Sequence, residues 1–358
     1  MKTYEKYLIK LFLTKFTIIF LIFYSLVFIL SIFDEISYFK DINSTSYYPF
    51  IMTFLNTPST IFEIFPFIFL ISTQFFFSEL INKNELEVLK FNGLSNLKVL
   101  KILFISSFIM GIFLIVFYYA FSSKLKFIYL DMKNQYSNDN KYLAVVTENG
   151  LWMRDEIDKK IYLVNAKQIK DQYLETTSIT EFNSQFEFIR LILAARIDIS
   201  NEKWLIIKPK VLEKNLTSKK LDNFILKTHF SKKKINTLFS NLSSLGIPRL
   251  FQLRNDYNNL GYTTDDINSH LGRLLAFPFY VSIMTILSSV IMLNIKRNKS
   301  KIFHTILGVL ISVLIYYIYY LFNLLGVSGK IPLVHSITLP LLMLTISILI
   351  PLIRINEK

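Results

Sequence analysis

The sequence is short of the residues on which most enzyme active sites depend. It has no cysteine, nine glycines and four histidines in 358 residues. No segment matches the phosphate-binding loop GxxxxGK[ST] or the nucleophile motif G-x-S-x-G. The histidines make no set with metal-ligand spacing; they are His229, His270, His304 and His335. We therefore expect no cofactor, no metal and no ATP hydrolysis by this chain itself.

Long apolar runs are what the sequence has in excess. Mean hydropathy is +0.41, and a helix needs about 20 apolar residues to cross a bilayer. Six blocks qualify: Leu11–Phe33, Thr60–Leu80, Ile102–Phe121, Leu274–Leu293, Ile302–Leu325 and Leu333–Ile353. A polar region separates the third block from the fourth. The sequence predicts an α-helical integral membrane protein with six transmembrane helices, three on each side of an inserted domain, divided at 1–121, 122–273 and 274–358.

The net charge of +14 would suit a nucleic-acid-binding protein, but its distribution favours a membrane orientation instead. Basic residues cluster in short loops beside the spans, as in Asn294–Lys301, which has four of them and no acid. This is the positive-inside pattern. We predict cytoplasmic termini, an external central domain and no nucleic-acid partner. The first 33 residues lack a good cleavage site, so we expect an uncleaved anchor rather than a signal peptide.

The central region changes to a period of two from Leu143. Segments such as Phe186–Ile199 and Lys203–Lys214 alternate apolar and polar residues between turn signals. They predict an all-β domain, either a β-sandwich, a jelly roll or an open barrel. Trp152 and Ile189 are expected to face its interior. The absence of disulfides agrees with a periplasmic location in a bacterium.

An acidic cluster lies between two of the predicted strands. Asp155, Glu156 and Asp158 could together ligate a metal, and Lys159-Lys160 follows them directly. A solvated hairpin turn accounts for the same residues, and we favour the turn.

The short polar stretch Asn84–Leu94 interrupts the apolar runs after the second span. Asn84 and Glu87 have the spacing of a capping box, and Gly93 is well placed to stop a helix. The stretch therefore predicts a short amphipathic helix on the cytoplasmic side. Since a membrane protein without its own motor must be driven through such a surface, we expect this helix to contact an ATPase. Its expected contact residues are Glu85, Leu86, Leu89 and Gly93.

Polar and aromatic residues mark the outer halves of two spans. Glu63 lies near the outer interface in the second span, where Pro66 is expected to kink the helix. The fifth span has four tyrosines within Tyr316–Tyr320. Four tyrosines in five positions cover more than one helix face, so some are expected to face a cavity or another helix.

Motifs spread over nearly the whole chain resemble the lipopolysaccharide export permeases of the LptF/LptG family. The residues that carry the resemblance are Glu5-Lys6-Tyr7-Leu8, Pro58, Pro66, Asn84-Glu85-Leu86, Gly93, Gly150-Leu151-Trp152, Lys203-Trp204, Pro278 and Pro332. Each motif is weak alone, but their order around a three-plus-three layout is specific. Gly150-Leu151-Trp152 favours the G type over the F type.

The resemblance implies a permease subunit of an ABC-type exporter in the inner membrane of a Gram-negative bacterium. It implies four partners: a paralogous F-type permease, a cytoplasmic ATPase dimer, a single-span periplasmic bridge protein and lipopolysaccharide. The substrate would enter from the outer leaflet and leave through a periplasmic jelly roll. The expected cavity residues are Ile64, Phe65, Tyr316, Tyr317 and Tyr320.

One position departs from the family pattern. G-type members often have a lysine late in the first span, where it suits the phosphates of lipid A. The matching position here is Ser31, which moves the expected phosphate contact to Lys40.

Two other classes of protein compete with this interpretation. A lipoprotein-releasing or FtsX-like permease typically has four spans with its external domain after the first, whereas three spans precede the domain here. A membrane-anchored enzyme of envelope glycans would need clustered acids or histidines at the outer interface, and only the Asp155–Asp158 segment offers any.

Overall fold

A computed structural model describes residues 2–40, 47–136, 151–170, 172–213, 218–220, 222–232, 235, 241–260, 263–294 and 301–356. The chain divides into two compact units. We call Met1–Lys126 together with Asp265–Lys358 the membrane unit, and Phe127–Thr264 the β unit.

Long apolar helices build the membrane unit. They are α1 (Thr3–Phe39), α2 (Tyr48–Asn82), α4 (Asn96–Phe113), α7 (Asp265–Leu293), α8 (Lys301–Val327) and α9 (Leu333–Asn356), with the short α3 (Glu85–Phe91) after α2. A π-helical segment, Leu114–Tyr119, joins α4 to α5 (Ala120–Tyr136). Within the described residues, six helices are long and apolar enough to cross a bilayer. The predicted three-plus-three arrangement is confirmed.

Two of these helices form the centre of the bundle. In α2 and α7, 61% of the most apolar window is buried, against 11% in α1 and 17% in each of α8 and α9. The core beside α1 and α2 is aromatic: Phe16 packs against Phe69 with ring centroids 4.8 Å apart. Because α1, α8 and α9 bury so little, most of their apolar side chains lie on the surface of the unit.

Small residues allow the central helices to approach closely. A Cβ added to Gly111 would lie 2.8 Å from the Pro278 Cα atom, so α4 and α7 touch at the backbone. The Ser288 hydroxyl donates to the Leu70 carbonyl over 2.7 Å and joins α7 to α2. Such contacts are typical of helix packing in membranes, where close van der Waals fit replaces hydrophobic collapse.

The β unit contains an antiparallel sheet of eight strands. The strands are β1 (Leu151–Ile157), β2 (Lys160–Lys170), β3 (Tyr173–Phe182), β4 (Phe188–Asp198), β5 (Lys203–Ile207), β6 (Lys210–Glu213), β7 (Ser218–Lys220) and β8 (Asn223–Lys227). Their order is β1-β2-β3-β4-β5-β8, and β6 pairs with β4 and β7. The 3-10 helix Leu242–Ser244 and helix α6 (Ile247–Leu260) follow the sheet. The predicted all-β region is confirmed.

The buried face of the sheet is organised in cross-strand rows. One row is apolar and buried throughout: Met153, Val164, Ile179, Ile192 and Val211. The next row toward the β1–β2 turn is polar: Asp155, Tyr162, Glu181, Arg190 and Glu213. We call this second set the polar row. Along the strands, the buried face of the sheet therefore changes from an apolar row to a polar row.

Charges within and beside the polar row neutralise one another. The Glu181 side chain is wholly buried and lies between Lys160, 2.9 Å away, and Arg190, 2.5 Å away. The hydrogen bond to Glu181 raises the pKa of Lys160. A buried carboxylate between two cations that reach solvent avoids the cost of an unpaired buried charge.

The placement predicted for Trp152 is wrong. Its side chain is 57% exposed, because Leu151, Met153 and Asp155 take the inward positions of β1. The buried tryptophan is Trp204 on β5, which is 0% exposed and donates from Nε1 to the Phe230 carbonyl over 2.8 Å.

Ile189 also differs from its predicted inward position. It lies where the register of β3 against β4 shifts, and its side chain is half-buried. The buried apolar residues of β4 are Ile192, Ala194 and Ile197. A bulge breaks strict alternation, so counting from Phe186 assigns the wrong face.

The acidic segment after β1 forms the favoured hairpin turn. Asp158 and Lys159 have φ values of 51° and 63°, as two-residue type I′ turns require. Asp155 lies in the strand, is 3% exposed and accepts three hydrogen bonds. In the part of the chain that the structure describes, no group of three acidic or histidine side chains could hold a metal ion.

Candidate functional site

Helix α3 forms over the stretch that its sequence predicts, but its start differs from the prediction. Asn84 adopts a left-handed conformation with φ of 59°, and its side chain makes no capping bond. The helix ends as predicted, at Gly93, which has φ of +78°. The Gly93 N–H donates to the Lys90 carbonyl over 2.9 Å, and the Leu94 N–H donates to the Leu89 carbonyl over 3.0 Å. This is a Schellman motif, and it fixes the direction of the chain after α3.

The two apolar faces of α3 have different surroundings. Leu86 and Leu89 are partly buried and pack against the core beside α1 and α2. Val88 and Phe91 lie on the opposite face, with 56% and 91% of their side chains exposed. Leu86 and Leu89 therefore attach α3 to the bundle, and their contact with an ATPase stays a prediction. The exposed apolar residues are Val88 and Phe91.

Ionic and hydrogen-bonding groups tie this end of the bundle together. The Tyr7 hydroxyl of α1 donates to the Glu85 carboxylate over 2.5 Å. Glu79 of α2 pairs with Lys15 of α1 and, over 2.7 Å, with Lys83. The hydrogen bond to Glu79 raises the pKa of Lys83. The hydrogen bond between Tyr7 and Glu85 thus connects α3 to α1, and the polypeptide backbone connects α3 to α2.

A second polar cluster lies at the opposite end of the membrane unit. Lys126 donates to the Asn56 side-chain oxygen over 2.5 Å, and the Tyr119 hydroxyl lies 2.9 Å from His270 Nε2. Arg273 of α7 has a buried Nε with no hydrogen-bond partner among the described residues. Glu63 of α2 interacts electrostatically with Lys126 and Arg273. We call these residues, Asn56, Glu63, Tyr119, Lys126, His270 and Arg273, the outer cluster.

The π-helical segment contributes to the outer cluster. Tyr119 is its last residue, and the wider turn shifts the residues that follow relative to a regular helix. Tyr119 is 2% exposed, so its hydroxyl has little access to solvent and bonds to His270. Segments of this kind occur often at functional sites in membrane and soluble proteins.

The structure separates the predicted cavity residues into two groups. Tyr316, Tyr317 and Tyr320 of α8 are exposed by 42%, 61% and 52%, and Ile64 is half-buried. Phe65 is 0% exposed and stacks on Phe20 with centroids 5.9 Å apart. Phe65 therefore belongs to the helix core, and its expected contact with a ligand is wrong.

Ser31 and Lys40 occupy different environments on α1. Ser31 is half-buried within the helix, and Lys40 is exposed at its C-cap. Nine residues of helix separate them by about 14 Å, so Lys40 does not replace a cation at the level of Ser31.

Sequence reasoning missed Phe91 and Arg273. Val88 and Phe91 are three residues apart and form a second apolar stripe on α3, a signal that was available in the sequence. Arg273 was counted as the last residue of the polar domain, whereas it lies two turns inside α7. Its electrostatic neighbours include Glu63 of α2 and Tyr316 and Tyr319 of α8, and no single-sequence pattern reports that proximity.

The fold and these two sites define a class of protein. Six helices able to cross a bilayer, an inserted antiparallel β unit and a short exposed helix define an integral membrane protein with an inserted β unit. The sequence matches the family described as lipopolysaccharide export system permease LptF/LptG over residues 6–354. The chain belongs to this family. A comparison with curated proteins finds no match.

Proposed function

We propose that this chain is the permease subunit of an ABC-type exporter that extracts lipopolysaccharide from the bacterial inner membrane. In this proposal the α3 end faces the cytoplasm, and a separate ATPase dimer docks there. An F-type paralogue completes the membrane part, and a single-span bridge protein receives the substrate from the periplasmic β unit. The assignment to the G type stays a prediction; of the Gly150-Leu151-Trp152 motif, Gly150 lies outside the described residues.

The exposure of Phe91 carries the docking part of the proposal. Phe91 lies at the end of a seven-residue helix with 91% of its side chain exposed, so it packs against little of the chain that the structure describes. Beside it are Val88 and the charged residues Glu87 and Lys90, which give an apolar centre with a polar rim. This is the composition of a small interface in which one aromatic side chain fills a pocket of the partner.

The contacts of α3 explain how docking would move the spans. Leu86 and Leu89 pack on the core, and Glu85 accepts the hydrogen bond from Tyr7. A displacement of α3 by the ATPase therefore acts on α1 through Tyr7 and on α2 through the direct connection of the chain. Gly93 ends the helix and lets the chain turn into α4. We propose roles for all four predicted residues, but Glu85, Leu86 and Leu89 act on the bundle side of α3.

The substrate surface proposed at the opposite end combines apolar and cationic groups. The exposed tyrosines of α8, with Ile64, provide a partly polar wall for acyl chains. Arg273 and Lys126 supply positive charge, and the buried Nε of Arg273 lacks a protein acceptor among the described residues. An unsatisfied guanidinium nitrogen inside a membrane helix is costly, and a phosphate oxygen would satisfy it. We propose that these residues, rather than Lys40, hold the anionic headgroup.

A docking experiment tests the motor part of the proposal. The chain is expressed with its candidate ATPase and F-type partner, and the complex is purified by a tag on this chain. Phe91→Ala is expected to reduce the recovered ATPase at least about tenfold, corresponding to about 1.4 kcal/mol. Phe33→Ala removes another exposed phenylalanine, from α1 (65%), and should leave recovery unchanged. Normal recovery and normal ATPase stimulation with Phe91→Ala would show that α3 is not the docking helix.

A crosslinking experiment tests the substrate part separately. A photo-reactive phenylalanine replaces Tyr317 on the proposed wall or Phe113 on α4, which is 55% exposed. Irradiation in cells should attach lipopolysaccharide at position 317 and not at 113. Equal labelling at the two positions would indicate general bilayer contact and contradict the proposed cavity.

A further inference from the structure

The two ends of the β sheet are β1 and β8. Among the described strands each has one partner, β2 and β5 respectively, and β7 on the side branch pairs only with β6. Among the described residues, no backbone hydrogen bond joins β1 to β8. A strand with a single partner exposes backbone groups on its other edge, and such an edge is commonly covered or closed.

One side chain nevertheless connects the two edges. Asp155 of β1 accepts a hydrogen bond from the Thr228 hydroxyl over 2.6 Å, from the His229 backbone N–H over 2.9 Å, and faces His229 Nδ1 over 2.7 Å. Thr228 and His229 directly follow β8. Asp155 is 3% exposed, whereas the His229 side chain is 57% exposed. A buried carboxylate with three donors is fully satisfied in this arrangement and costly to strip of them.

The segment after β8 is fixed on its other side to β5 and the chain before it. The Thr228 N–H donates to the Glu202 carbonyl over 2.8 Å, and the Phe230 carbonyl accepts from Trp204 Nε1 over 2.8 Å. These bonds attach Thr228–Phe230 to the β5 side of the sheet. The hydrogen bonds of Asp155 therefore join β1 to the segment after β8, two parts of the sheet that are not neighbours in the strand order. We call this junction the β1–β8 seam.

The seam differs in kind from every other strand junction. Neighbouring strands share ladders, as in the seven register pairs between β1 and β2 and the five between β5 and β8. At the seam, three hydrogen bonds converge on a single buried carboxylate, and the His229 ring beside it is exposed to solvent. Local opening starts where few, solvent-accessible bonds hold an element. Helix α6 lies against β1, so β1 keeps a second support when these bonds break.

We propose that Asp155, Thr228 and His229 form a clasp that closes the β sheet edge to edge, and that the β unit opens along the β1–β8 seam. Opening would expose the buried rows behind β1, the apolar row of Met153 and Val164 and the polar row that contains Asp155 itself. An amphipathic ligand with acyl chains and charged groups would match these rows. That consequence rests on the proposed function, whereas the opening itself does not.

Hydrogen exchange on the full-length protein tests the opening. In Asp155→Ala, exchange is expected to rise about tenfold or more in β1 and in residues 223–230, and to stay unchanged in β3. Glu156→Ala removes the adjacent carboxylate, which points to solvent, and should leave all segments unchanged. Unchanged exchange at the seam in Asp155→Ala would overturn the clasp, as would an equal increase across the whole sheet.

A cysteine pair provides a second, reversible test, because the chain has no cysteine of its own. Asp155→Cys with Thr228→Cys should form a disulfide on oxidation, restore slow exchange at the seam and lose it again on reduction. Failure of oxidation to slow exchange at the seam would count against closure by these residues. This pair also protects the test against a folding defect in Asp155→Ala, since the oxidised and reduced samples are the same polypeptide.

The consequence for lipid passage has its own readout. Transfer of lipopolysaccharide by the assembled complex should stop with the oxidised pair and resume on reduction. A control pair, Leu163→Cys with Thr180→Cys, crosslinks β2 to β3 at a register pair on the opposite face of the sheet and should transfer equally in both states. Transfer by the oxidised Asp155–Thr228 pair would refute passage through the seam while leaving the clasp intact. Absence of transfer and of ATPase binding in the unaltered chain would instead contradict the proposed function.

Discussion

The two units of this protein place their polar side chains in opposite ways. In the membrane unit the core beside α1 and α2 is almost wholly apolar, and ionised groups gather near the two ends, around Glu79 and around Arg273. In the β unit a charged row crosses the buried face of the sheet, with Glu181 at 0% exposure. The difference follows from how helices and sheets satisfy the hydrogen bonds of their backbone groups.

A membrane helix completes its hydrogen bonds within itself, so the interior of the bundle needs no polar side chain to close it. The buried hydroxyls there bond mostly to their own helix, as Thr53 does with the Pro49 carbonyl over 2.8 Å and Ser72 with the Ile68 carbonyl over 2.6 Å. An antiparallel sheet instead leaves two edges to be closed, and Asp155 supplies side-chain bonds where the ladder stops. In the membrane unit, polar side chains therefore lie mainly at the ends of the bundle. In the β unit, they close the sheet.

The largest expected effect is in the β unit, where one aromatic side chain supports both β5 and the segment after β8. Trp204→Ala is expected to lower the free energy of unfolding by about 3–5 kcal/mol, because it removes a wholly buried side chain and leaves the Phe230 carbonyl without its donor. The only other tryptophan is Trp152, also in the β unit. Its fluorescence can follow unfolding of this unit alone in the full-length variant. A loss below about 1 kcal/mol would show that Trp204 does not support the closed sheet.

The fold was predictable where residue patterns are strong. The six apolar blocks predicted the membrane helices, because length and hydropathy are enough to identify a span. The alternating segments Phe186–Ile199 and Lys203–Lys214 predicted β4, β5 and β6. Strand β3 was missed because its inward positions include Thr177 and Glu181, both buried, so an apolar period of two is absent.

The candidate sites were predictable only in part. Helix α3 and its stop at Gly93 followed from local sequence signals. Which face of α3 packs inward depends on the spans around it, and a helix of seven residues with apolar side chains on two faces gives no preference. The outer cluster unites Asn56, Lys126 and Arg273 from three separate parts of the chain, and such proximity arises from tertiary packing alone.

An intermediate effect is expected in the membrane unit, where close packing rather than polar bonding joins the helices. Gly111→Ala should destabilise the bundle by about 1–3 kcal/mol, since the new Cβ would lie 2.8 Å from the backbone of Pro278. Gly308→Ala is the matched control: its Cβ would meet the side-chain amide of Gln74, which can move away more easily than backbone. Thermal unfolding in detergent, followed by circular dichroism of the helices, compares the two variants. If both variants lowered the unfolding temperature equally, the contact between α4 and α7 at Gly111 would be no tighter than the contact at Gly308.

The smallest expected effect concerns Trp152, and it sharpens the comparison within the β unit itself. Trp152 lies on the outward face of β1, where Asn165 is its cross-strand partner, and 57% of its side chain is exposed. Trp152→Ala should therefore cost at most about 1 kcal/mol, because only part of its apolar surface leaves contact with protein. Fluorescence of the remaining Trp204 reports the unfolding of the same unit, so the two tryptophan variants form a reciprocal pair. If Trp152→Ala instead destabilised the full-length protein by as much as Trp204→Ala, the outward face of β1 would have to be covered in solution. The exposed edge strand would then already be paired with another protein surface, and closure by Asp155 would not be the only way in which this sheet protects its edge.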